Sequence, residues 1–336
     1  MDDKITESDW ALLSQMRQGY LGERAQTLWT TSRSLEVYDK FFGRRIADKW
    51  FSALNVFAER GDAQDFLDWR TQLGAPLQIW DWGCGTGRAS RSFCQALAID
   101  DPVEAVFTDR GEFIEAWAHH QLVSERGERS ITKIPSSKLQ LSNTVLLISH
   151  VLNELEHAKA GSLSDVAARA EWIFWVENGS RSTSRALAGV RNKIRHTHDI
   201  LAPCLGQTGC QAIEGKDHSH WCHFFAERTA EYFLDPEWSE FSKRLGVDLR
   251  SIPYSFFIAR RKREGSPAPT LSVPLPSTHG VHIGRARVYK GYADALVCEN
   301  NTRLEDWRYP KRSYGEIYRE LKKDQASFVL ERPESK

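Results

Sequence analysis

The chain has no excess of charge of either sign, no long apolar run and few cysteines. Lys and Arg together number 45, as do Asp and Glu, so any nucleic-acid surface must come from local clustering of cations. The longest apolar runs, 144–149 and 173–176, are far below the ~18 residues that a membrane-spanning helix needs. The first residues resemble neither a signal nor a transit peptide. We expect a cytoplasmic protein without a membrane partner, bacterial or already processed.

Six cysteines in 336 residues, without a secretory signal, argue against a disulfide scaffold. They favour metal or redox use of some of these thiols. The hydrophobic fraction of 41% is enough for a sizeable core, which excludes wholesale disorder. The length suggests about two domains.

Hydrophobic periodicity predicts helices over 1–75 and then an alternation of strands and helices. Strands are expected at 77–82, 103–108, 144–149, 172–177 and 254–260, and helices at 88–97, 112–122, from His150 onward and at 181–195. This alternation predicts an α/β fold with a parallel sheet and helices on both faces. Strands at 281–289 and 293–298 and a helix near 313–323 are expected in the tail. The predicted domains are a helical extension 1–75, a main domain 76–263 with a cysteine-rich loop 196–223, a proline-rich linker 264–280 and a small module 281–336.

A glycine turn follows the first predicted strand. The sequence Asp81-Trp-Gly83-Cys-Gly85-Thr-Gly87 leads from that strand into a helix, and Asp109 lies just past the next strand. Glycines let the backbone turn tightly and let a ligand approach it, and a carboxylate in the position of Asp109 can bind ribose hydroxyls. The combination resembles motif I and the following acidic position of class I S-adenosylmethionine-dependent methyltransferases. Cys84 is expected to be a small packed residue.

Residues after the fourth strand often carry the chemistry of methyltransferases. Here the segment 147–155 contains neither an Asn-Pro-Pro-aromatic motif nor Pro-Cys, which disfavours amine methylation of that type and the covalent route to 5-methylcytosine. His150 is a weak candidate for a general base, since imidazole titrates near neutrality. Its alternative role is a packed helix start. Glu154 is a second weak candidate, and it could equally be an exposed helix residue.

Three cysteines lie within one predicted loop, and a fourth lies far away in the tail. A loop has no core that three thiols could fill, so packing does not explain them well. The pattern therefore favours a thiolate metal site, either a 4Fe–4S cluster or structural zinc. Nearby histidines keep a Cys₃His zinc site possible. The cysteines are Cys204, Cys210, Cys222 and Cys298, and the histidines are His218, His220 and His223.

The ordered combination of these segments, over about 77–312, resembles the methyltransferase-like proteins of the small ribosomal subunit, known from mitochondria and with bacterial relatives. Besides the glycine turn and the cysteines it includes 149–155, 176–180, Arg191, 221–224 and 254–256. The resemblance implies a methyltransferase fold, a small-subunit or rRNA partner, and a 4Fe–4S cluster held by the four cysteines. The chain departs from the family at Asn178, where proline is usual, and at Leu205 and Gln211.

Clusters of basic residues offer a phosphate-binding face, and one of them, 181–195, contains no acid. The candidates are Arg181, Arg185, Arg191, Lys193, Arg195, Arg260, Arg261, Lys262 and Arg263, with Arg285, Arg287, Lys290, Lys311 and Arg312 in the tail. Tyr289, Tyr292, Trp307 and Tyr309 are candidates for base stacking. A solvated helix face and a packed aromatic tail are the alternative interpretation.

The sequence therefore supports three functions. The first is an S-adenosylmethionine-dependent rRNA methyltransferase with an iron–sulfur cluster. The second is a ribosome-assembly factor that binds rRNA without transferring a methyl group. The third and weakest is a small-molecule or protein methyltransferase. A monomer is expected, although nothing in the sequence fixes the oligomeric state.

Overall fold

A computed structural model describes residues 4–21, 29–60, 62–155, 163–215, 219–263, 278–323 and 328–334. The chain divides into two compact units. The first comprises Met1–Leu54, Leu73–Lys159 and Ala226–Ile252, and the second comprises Asn55–Gln72, Ala160–Phe225 and Pro253–Lys336. Most of the predicted linker 264–280 lies outside the described residues. The predicted domain boundaries stay a prediction.

The helices and strands lie close to the predicted segments. The chain forms helices α1 (Glu7–Leu21), α2 (Ser32–Tyr38), α3 (Arg44–Glu59), α4 (Asp62–Thr71), α5 (Arg88–Ala96), α6 (Glu112–Arg126), α7 (Arg181–Ile194), α8 (Gln211–Glu214), α9 (Glu231–Leu234), α10 (Pro236–Leu245) and α11 (Gly315–Lys323). The strands are β1 (Leu77–Trp82), β2 (Val103–Thr108), β3 (Ile131–Lys133), β4 (Thr144–Ser149), β5 (Trp172–Asn178), β6 (His198–Ala202), β7 (Phe224–Phe225), β8 (Pro253–Arg261), β9 (His279–Val288), β10 (Tyr292–Glu299), β11 (Arg303–Pro310) and β12 (Val329–Glu331).

The first unit contains four parallel strands in the order β3-β2-β1-β4. In β1, Asp81 lies opposite Phe107 of β2 and Leu147 of β4, so all three strands end at the same edge. Ligands of parallel α/β sheets bind outside the carboxyl ends of the strands. This edge is therefore where the glycine turn and the residues after β4 must meet.

The N-terminal helices of this unit pack through aromatic side chains. Helix α2 begins with a capping box in which Thr31 and Ser34 satisfy each other's backbone N–H groups. A π-helical turn, Asp39–Gly43, joins α2 to α3. Phe41 from this turn stacks on Phe241 of α10 with ring centroids 4.8 Å apart. Within the predicted helical extension 1–75, the described residues form α1 to α4, and the extension as a separate domain stays a prediction.

The strands of the second unit correct the prediction of a parallel sheet. Strand β8 runs antiparallel to β5 and β6, and β7 also pairs with β8 in the antiparallel sense. The α/β class is confirmed, and the sheet is mixed. Hydrophobic alternation along the chain reports which segments are buried and carries no information about strand direction, which explains the error.

The described residues of the second unit include an aromatic cluster and a separate core in the tail. One consists of aromatic rings that meet mainly edge to face, from α3, α4 and β5: Phe57, Phe66, Trp69, Trp172 and Phe174. The other belongs to the tail, where the antiparallel sheet β11-β10-β9-β12 packs against α11. Strands β9 and β10 and helix α11 were predicted. Strands β11 and β12 were missed.

Two local predictions were wrong. No helix begins at His150, because His150 has a φ of 57° in the left-handed region and 152–154 form a turn. The segment 196–223 is not a continuous loop, since it contains the buried strand β6 and the short helix α8. The helices of the described residues include none with the length and apolar character that crossing a bilayer requires.

Candidate functional site

The glycine turn closes directly onto the end of β2. The backbone N–H groups of Gly83 and Cys84 donate to the carbonyl of Thr108 at 2.7 and 3.1 Å. Gly83, Gly85 and Gly87 have φ values of 70°, 49° and 74°. Left-handed backbone of this kind disfavours residues with a Cβ atom. The turn therefore requires its three glycines.

The space beside each glycine differs. A Cβ atom on Gly83 would lie 2.5 Å from Cγ1 of Val151, and one on Gly87 would lie 3.2 Å from the backbone of Ala118. A Cβ atom on Gly85 would face only the indole edge of Trp29, at 3.3 Å. Gly83 and Gly87 thus allow close packing within the protein, whereas Gly85 faces a side chain from the N-terminal segment.

Asp81 is fully buried at the end of β1, beneath this turn. Its Oδ2 accepts a hydrogen bond of 3.3 Å from the backbone N–H of Ser90, while Oδ1 has no hydrogen-bond partner among the described residues. Burial raises the pKa of Asp81 to about 7, the Ser90 hydrogen bonds lower it, and Asp109 raises it. A buried, unpartnered carboxylate oxygen is costly. A cationic or hydrogen-bond-donating group of a ligand would satisfy it.

Asp109 faces the turn from the end of β2. Its Oδ2 accepts a hydrogen bond of 2.8 Å from the Gly85 N–H, and its Oδ1 accepts one of 2.7 Å from the Arg110 N–H. The Asp109 N–H donates to Oε1 of Glu115 at 3.1 Å. A carboxylate offers about four acceptor positions, so Asp109 keeps capacity for further donors such as ribose hydroxyls.

The turn is also fixed by an acid that no sequence motif indicates. Asp39, in the π-helical turn, pairs with Arg88 at 2.6 Å and with Arg91 at 2.7 Å, both from the helix that follows the glycines. Arg91 also donates to the Thr86 carbonyl at 3.1 Å and pairs with Glu125 at 2.8 Å. π-helical turns occur frequently at functional sites, but no local signal marks this one.

Aromatic residues from the N-terminal helices line the same region. The ring of Trp29 packs edge to face against Tyr38 at 4.8 Å, and Tyr38 contacts Tyr20 and Phe42 at 6.3 and 5.5 Å. Because Trp29 also faces Gly85, this segment forms one wall beside the turn. The sequence identified these residues only as helical periodicity.

His150 is held by its neighbours at the end of β4. Its Nε2 lies 2.8 Å from Nζ of Lys49, and its Nδ1 lies 3.2 Å from Oγ of Ser149, which also accepts a hydrogen bond of 3.0 Å from Trp50. Burial, together with the charge of Lys49, places the pKa of His150 well below its usual value. The imidazole is thus neutral and accepts from the Lys49 ammonium, which makes it a weak base.

Glu154 lies near the Asp109 side of the turn. Its carboxylate pairs with Arg110 at 2.8 Å. Burial raises the pKa of Glu154, Arg110 lowers it and Asp109 raises it. Of the two weak catalytic candidates, Glu154 is the one whose charge interacts with Asp109.

The second unit brings the four predicted cysteine ligands together. Burial raises the pKa of Cys210 to about 11 and that of Cys298 to about 12, and it raises the pKa of Cys222 far above the usual range. Neighbouring thiols raise these pKa values further, and Cys222 interacts with all three others. Backbone N–H groups of Ala212 and Asn301 lower the pKa values of Cys210 and Cys298 by hydrogen bonding. Across the described residues, no three His, Cys, Asp or Glu side chains are arranged to hold a single metal ion.

Arg191 anchors the backbone around these thiols. It is 3% exposed, and its guanidinium donates to the carbonyls of Gly206, at 2.9 Å, and of Thr208. The next residue, Asn192, accepts from the Cys210 N–H at 3.0 Å and donates to Glu214 at 2.6 Å. Arg60 donates to the carbonyls of Pro203 and Cys204 at 3.0 and 3.2 Å. The loop is thus fixed at both ends by side chains of other elements.

The close approach of the loop to the tail involves Gly206. A Cβ atom there would lie 2.4 Å from the carbonyl oxygen of Asn300. The ring of His223 stacks on Trp221 at 4.8 Å, and its Nδ1 donates to the Trp221 carbonyl at 3.0 Å. One nitrogen of His223 is therefore engaged within the protein. His218 lies outside the described residues.

The structure narrows the predicted phosphate-binding face. Arg191 is buried, so its prediction as an exposed phosphate contact was wrong, because a charge pattern does not reveal which cations bind loop carbonyls. Arg185 donates to the Ala212 carbonyl at 2.6 Å, Arg260 pairs with Asp65 at 3.2 Å, and Arg261 donates to the Ala168 carbonyl at 2.8 Å. Arg195 is half-buried. Among the predicted cations ahead of the tail, Arg181, Lys193, Lys262 and Arg263 are exposed.

The predicted stacking residues also separate into two pairs. Trp307 and Tyr309 are 3% and 0% exposed and belong to the tail core, so they offer no stacking surface. Tyr289 is exposed and Tyr292 is half-buried. Alternation of side chains along a strand places Trp307 and Tyr309 on the same, inward face of β11.

Comparisons with known proteins identify a family. Residues 74–326 match the sequence model of the family described as "Mitochondrial small ribosomal subunit Rsm22". A search of curated protein sequences found no match.

Several solved structures resemble this chain at low sequence identity. Magnesium protoporphyrin IX methyltransferase from Synechocystis PCC 6803 is 11% identical, with a TM-score of 0.38 over 78% of this chain and 100% of that chain. The plantazolicin methyltransferase BamL is 11% identical, with a TM-score of 0.36 over 76% and 97% of the two chains. Precorrin-6y C5,15-methyltransferase from Geobacter metallireducens is 12% identical, with a TM-score of 0.32 over 61% and 87%. Similarity at this level does not indicate a substrate.

Proposed function

The chain belongs to the Rsm22 family of the mitochondrial small ribosomal subunit, and on that premise we propose that it binds S-adenosylmethionine and methylates rRNA of the small ribosomal subunit. The observation that carries the cofactor assignment is the glycine turn, with the buried Oδ1 of Asp81 beneath it. The ribosomal partner is inferred from the family to which the chain belongs.

The residues of the turn fit S-adenosylmethionine chemically. The cofactor carries a positive sulfonium and an amino group, which suit the unpartnered oxygen of Asp81, and a ribose whose hydroxyls suit the remaining acceptor positions of Asp109. Gly85 has no Cβ atom, so a ligand can approach the backbone of the turn closely beside Trp29. When bound, the cofactor supplies an electrophilic methyl group. The chain's own residues bind and orient it and keep its surroundings partly dry.

The four thiols support a metal cofactor in the second unit. Cys204, Cys210, Cys222 and Cys298 are close enough to change one another's pKa, and two of them accept backbone N–H groups. Zinc, with Zn–S distances of about 2.3 Å, requires ligands gathered around one ion. We favour a 4Fe–4S cluster over zinc, because all four candidate ligands are thiols and because thiolate ligands and N–H···S hydrogen bonds are typical of such clusters.

A second candidate function is an assembly factor that binds rRNA and the cofactor without methyl transfer. His150 favours it, because its Nε2 lone pair is directed at the Lys49 ammonium and its pKa lies well below the usual range. A general base works best with a pKa near the working pH. Transfer to a small molecule or a protein is the remaining alternative.

One experiment separates these functions. The anaerobically purified protein is titrated calorimetrically with S-adenosylmethionine and then incubated with methyl-labelled cofactor and either small subunits, naked small-subunit rRNA or large subunits as the control. Binding with label in small-subunit rRNA supports the methyltransferase. Binding without transfer to any substrate supports the assembly factor. Absence of binding at millimolar cofactor contradicts both cofactor assignments.

A further inference from the structure

The turn between β9 and β10 carries a pair of stacked tyrosines. The rings of Tyr289 and Tyr292 lie 4.6 Å apart with an interplanar angle of 24°. Tyr289 is 45% exposed, and Val288 beside it is 38% exposed. The guanidinium of Arg308 lies 4.1 Å above the ring of Tyr292. We call residues 288–292 the hairpin tip.

The hairpin tip is fixed by neighbours rather than loosely attached. The Tyr289 N–H donates to the Tyr292 carbonyl at 2.9 Å, and the Lys311 N–H donates to the Gly291 carbonyl at 2.9 Å. From α11, the hydroxyl of Tyr318 donates to the Tyr289 carbonyl at 2.7 Å. The backbone that carries the exposed ring is thus held before any ligand arrives, which lowers the entropy lost on binding.

Arg308 is fixed in turn by an acid of the neighbouring strand. Its Nε and Nη2 donate to the two oxygens of Asp294 at 2.8 and 3.0 Å, and its side chain stays 59% exposed. A bidentate pair of this kind sets the plane of the guanidinium. Arg308 therefore supports the Tyr292 ring while part of its charge remains accessible to solvent.

Positive charge surrounds the hairpin tip. The ends of β9, β10 and β11 and the turn after β11 carry five exposed cations against two carboxylates, Asp294 and Asp306. The cations are Arg287, Lys290, Arg308, Lys311 and Arg312. Such a surplus attracts phosphates, and its effect depends on salt.

We propose that the hairpin tip binds an unpaired stretch of RNA, with one base stacked on Tyr289 and the flanking phosphates near Lys290 and Arg312. This inference rests on the proposed rRNA partner and assigns the part of the chain that contacts it. A stacking platform with cations on its rim is the recognition mode of single-stranded nucleic acids. An A-form duplex keeps its bases stacked inside, so it cannot use an exposed ring in this way.

The competing occupants differ in what they require. An acidic membrane surface would use the cations and the apolar side chain of Val288, but it would not depend on a ring held parallel to its neighbour. An acidic peptide would be attracted by the cations alone. Binding that requires the aromatic ring of Tyr289 and that prefers single strands to duplexes distinguishes RNA from a membrane surface and from an acidic peptide.

The test uses the full-length protein and a fluorescent 12-nucleotide single-stranded RNA of mixed sequence, with its duplex as comparison, measured by anisotropy across salt concentrations. Tyr289→Ala should weaken single-strand binding about tenfold or more and leave the salt dependence unchanged. Tyr289→Phe should retain binding. The double change Lys290→Gln with Arg312→Gln should reduce the log–log salt slope by about 0.7 per lost contact.

Phe233→Ala is the matched control, since Phe233 is an exposed aromatic residue of the first unit, 57% exposed. If the wild-type protein binds this RNA and Tyr289→Ala and the double variant bind it equally well, the assignment of the hairpin tip as an RNA-binding site is wrong. The proposal of an rRNA partner is then unaffected. If the wild-type protein binds neither the RNA nor small subunits, both proposals fail. Binding to vesicles of acidic lipid that depends on Tyr289, with RNA binding that does not, identifies a membrane surface and also overturns the proposal.

Discussion

Asp109 and Gly85 are joined by a hydrogen bond of 2.8 Å from the Gly85 N–H to Oδ2 of Asp109. The carboxylate that follows β2 thus binds the central glycine of the turn. Because the glycines have no side chains, this contact is made to the backbone. The same carboxylate is the residue assigned to the cofactor ribose. Asp109 therefore shapes the turn and forms one side of the proposed cofactor site.

Replacing Asp109 with Ala should weaken S-adenosylmethionine binding by about one to two orders of magnitude, because two charge-assisted hydrogen bonds are lost. Asp109→Asn should lose less, since an amide oxygen can still accept from Gly85. Isothermal titration calorimetry measures both. Asp100→Ala, an exposed acid ahead of the same strand, should bind like the wild type. Equal affinities for Asp109→Ala and Asp100→Ala would rule out the assignment.

Gly85→Ala should reduce cofactor affinity more than tenfold. The residue has a φ of 49°, which disfavours a Cβ atom, and its new Cβ would lie 3.3 Å from the indole of Trp29, so the turn beside the proposed cofactor would have to shift. Gly111→Ala provides the control, because no atom lies within 4 Å of its Cβ position and its φ is −159°. Calorimetry and thermal unfolding of both variants check this. Loss of binding in Gly111→Ala as well would point to a general folding defect.

Asp81 should make the ligand-free protein less stable as pH rises from about 4 to 7. Its pKa in the folded state is about 7, whereas an unfolded Asp has a pKa of about 3.9. The folded state therefore holds the proton more tightly, and ionisation costs stability across that interval. The side chain of Asp81→Asn does not ionise, so this variant should not lose stability in this way. The free energy of unfolding of the variant minus that of the wild type should therefore increase from about pH 4 to 7 and level off above pH 7. Urea denaturation at several pH values tests this, and parallel profiles of the two proteins would contradict it.

Cys298→Ser should remove the proposed cluster and expose the tail to protease. A metal bound by three loop cysteines and one tail cysteine adds its binding free energy to the stability of both segments. Anaerobically purified wild-type protein should contain about four irons and four sulfides and absorb broadly in the visible range. Elemental analysis and limited proteolysis compare it with the variant.

Cys94→Ala serves as the control for that experiment, since Cys94 is a buried cysteine of the first unit. It should retain the full iron content. Stoichiometric zinc without iron in the wild type would select the zinc alternative. A wild-type protein without metal, matched by Cys298→Ser in protease resistance, would eliminate the site.

The parts of the fold and site that the sequence predicts are those with local signals. The glycine turn is readable because Gly83, Gly85 and Gly87 follow a buried strand at fixed spacing. The four cysteines are recognisable by residue type, although Cys298 lies far from the others. Strand limits follow hydrophobic runs and agree with β1, β2 and β4 to the residue.

The parts that the sequence did not predict depend on tertiary contacts. Asp39 lies 49 residues before Arg88, and nothing near either residue indicates their pairing. Arg191 was interpreted as one cation of a basic helix, yet it binds the Gly206 and Thr208 carbonyls from a buried position. Charge and spacing state what a side chain can do, and only the folded backbone determines which partner it meets.

The ion pairs of Asp39 bear on how short a fragment of this chain can be and still fold. The family match begins at residue 74, yet the carboxylate that neutralises two arginines behind the glycine turn belongs to residue 39. A fragment trimmed to the matched region would lose one of the two carboxylates that pair with Arg91, which is 5% exposed, and would keep only Glu125. Removing a partner from a buried ion pair is destabilising. The segment that precedes the matched region therefore braces the glycine turn within it, and a stable fragment has to include both.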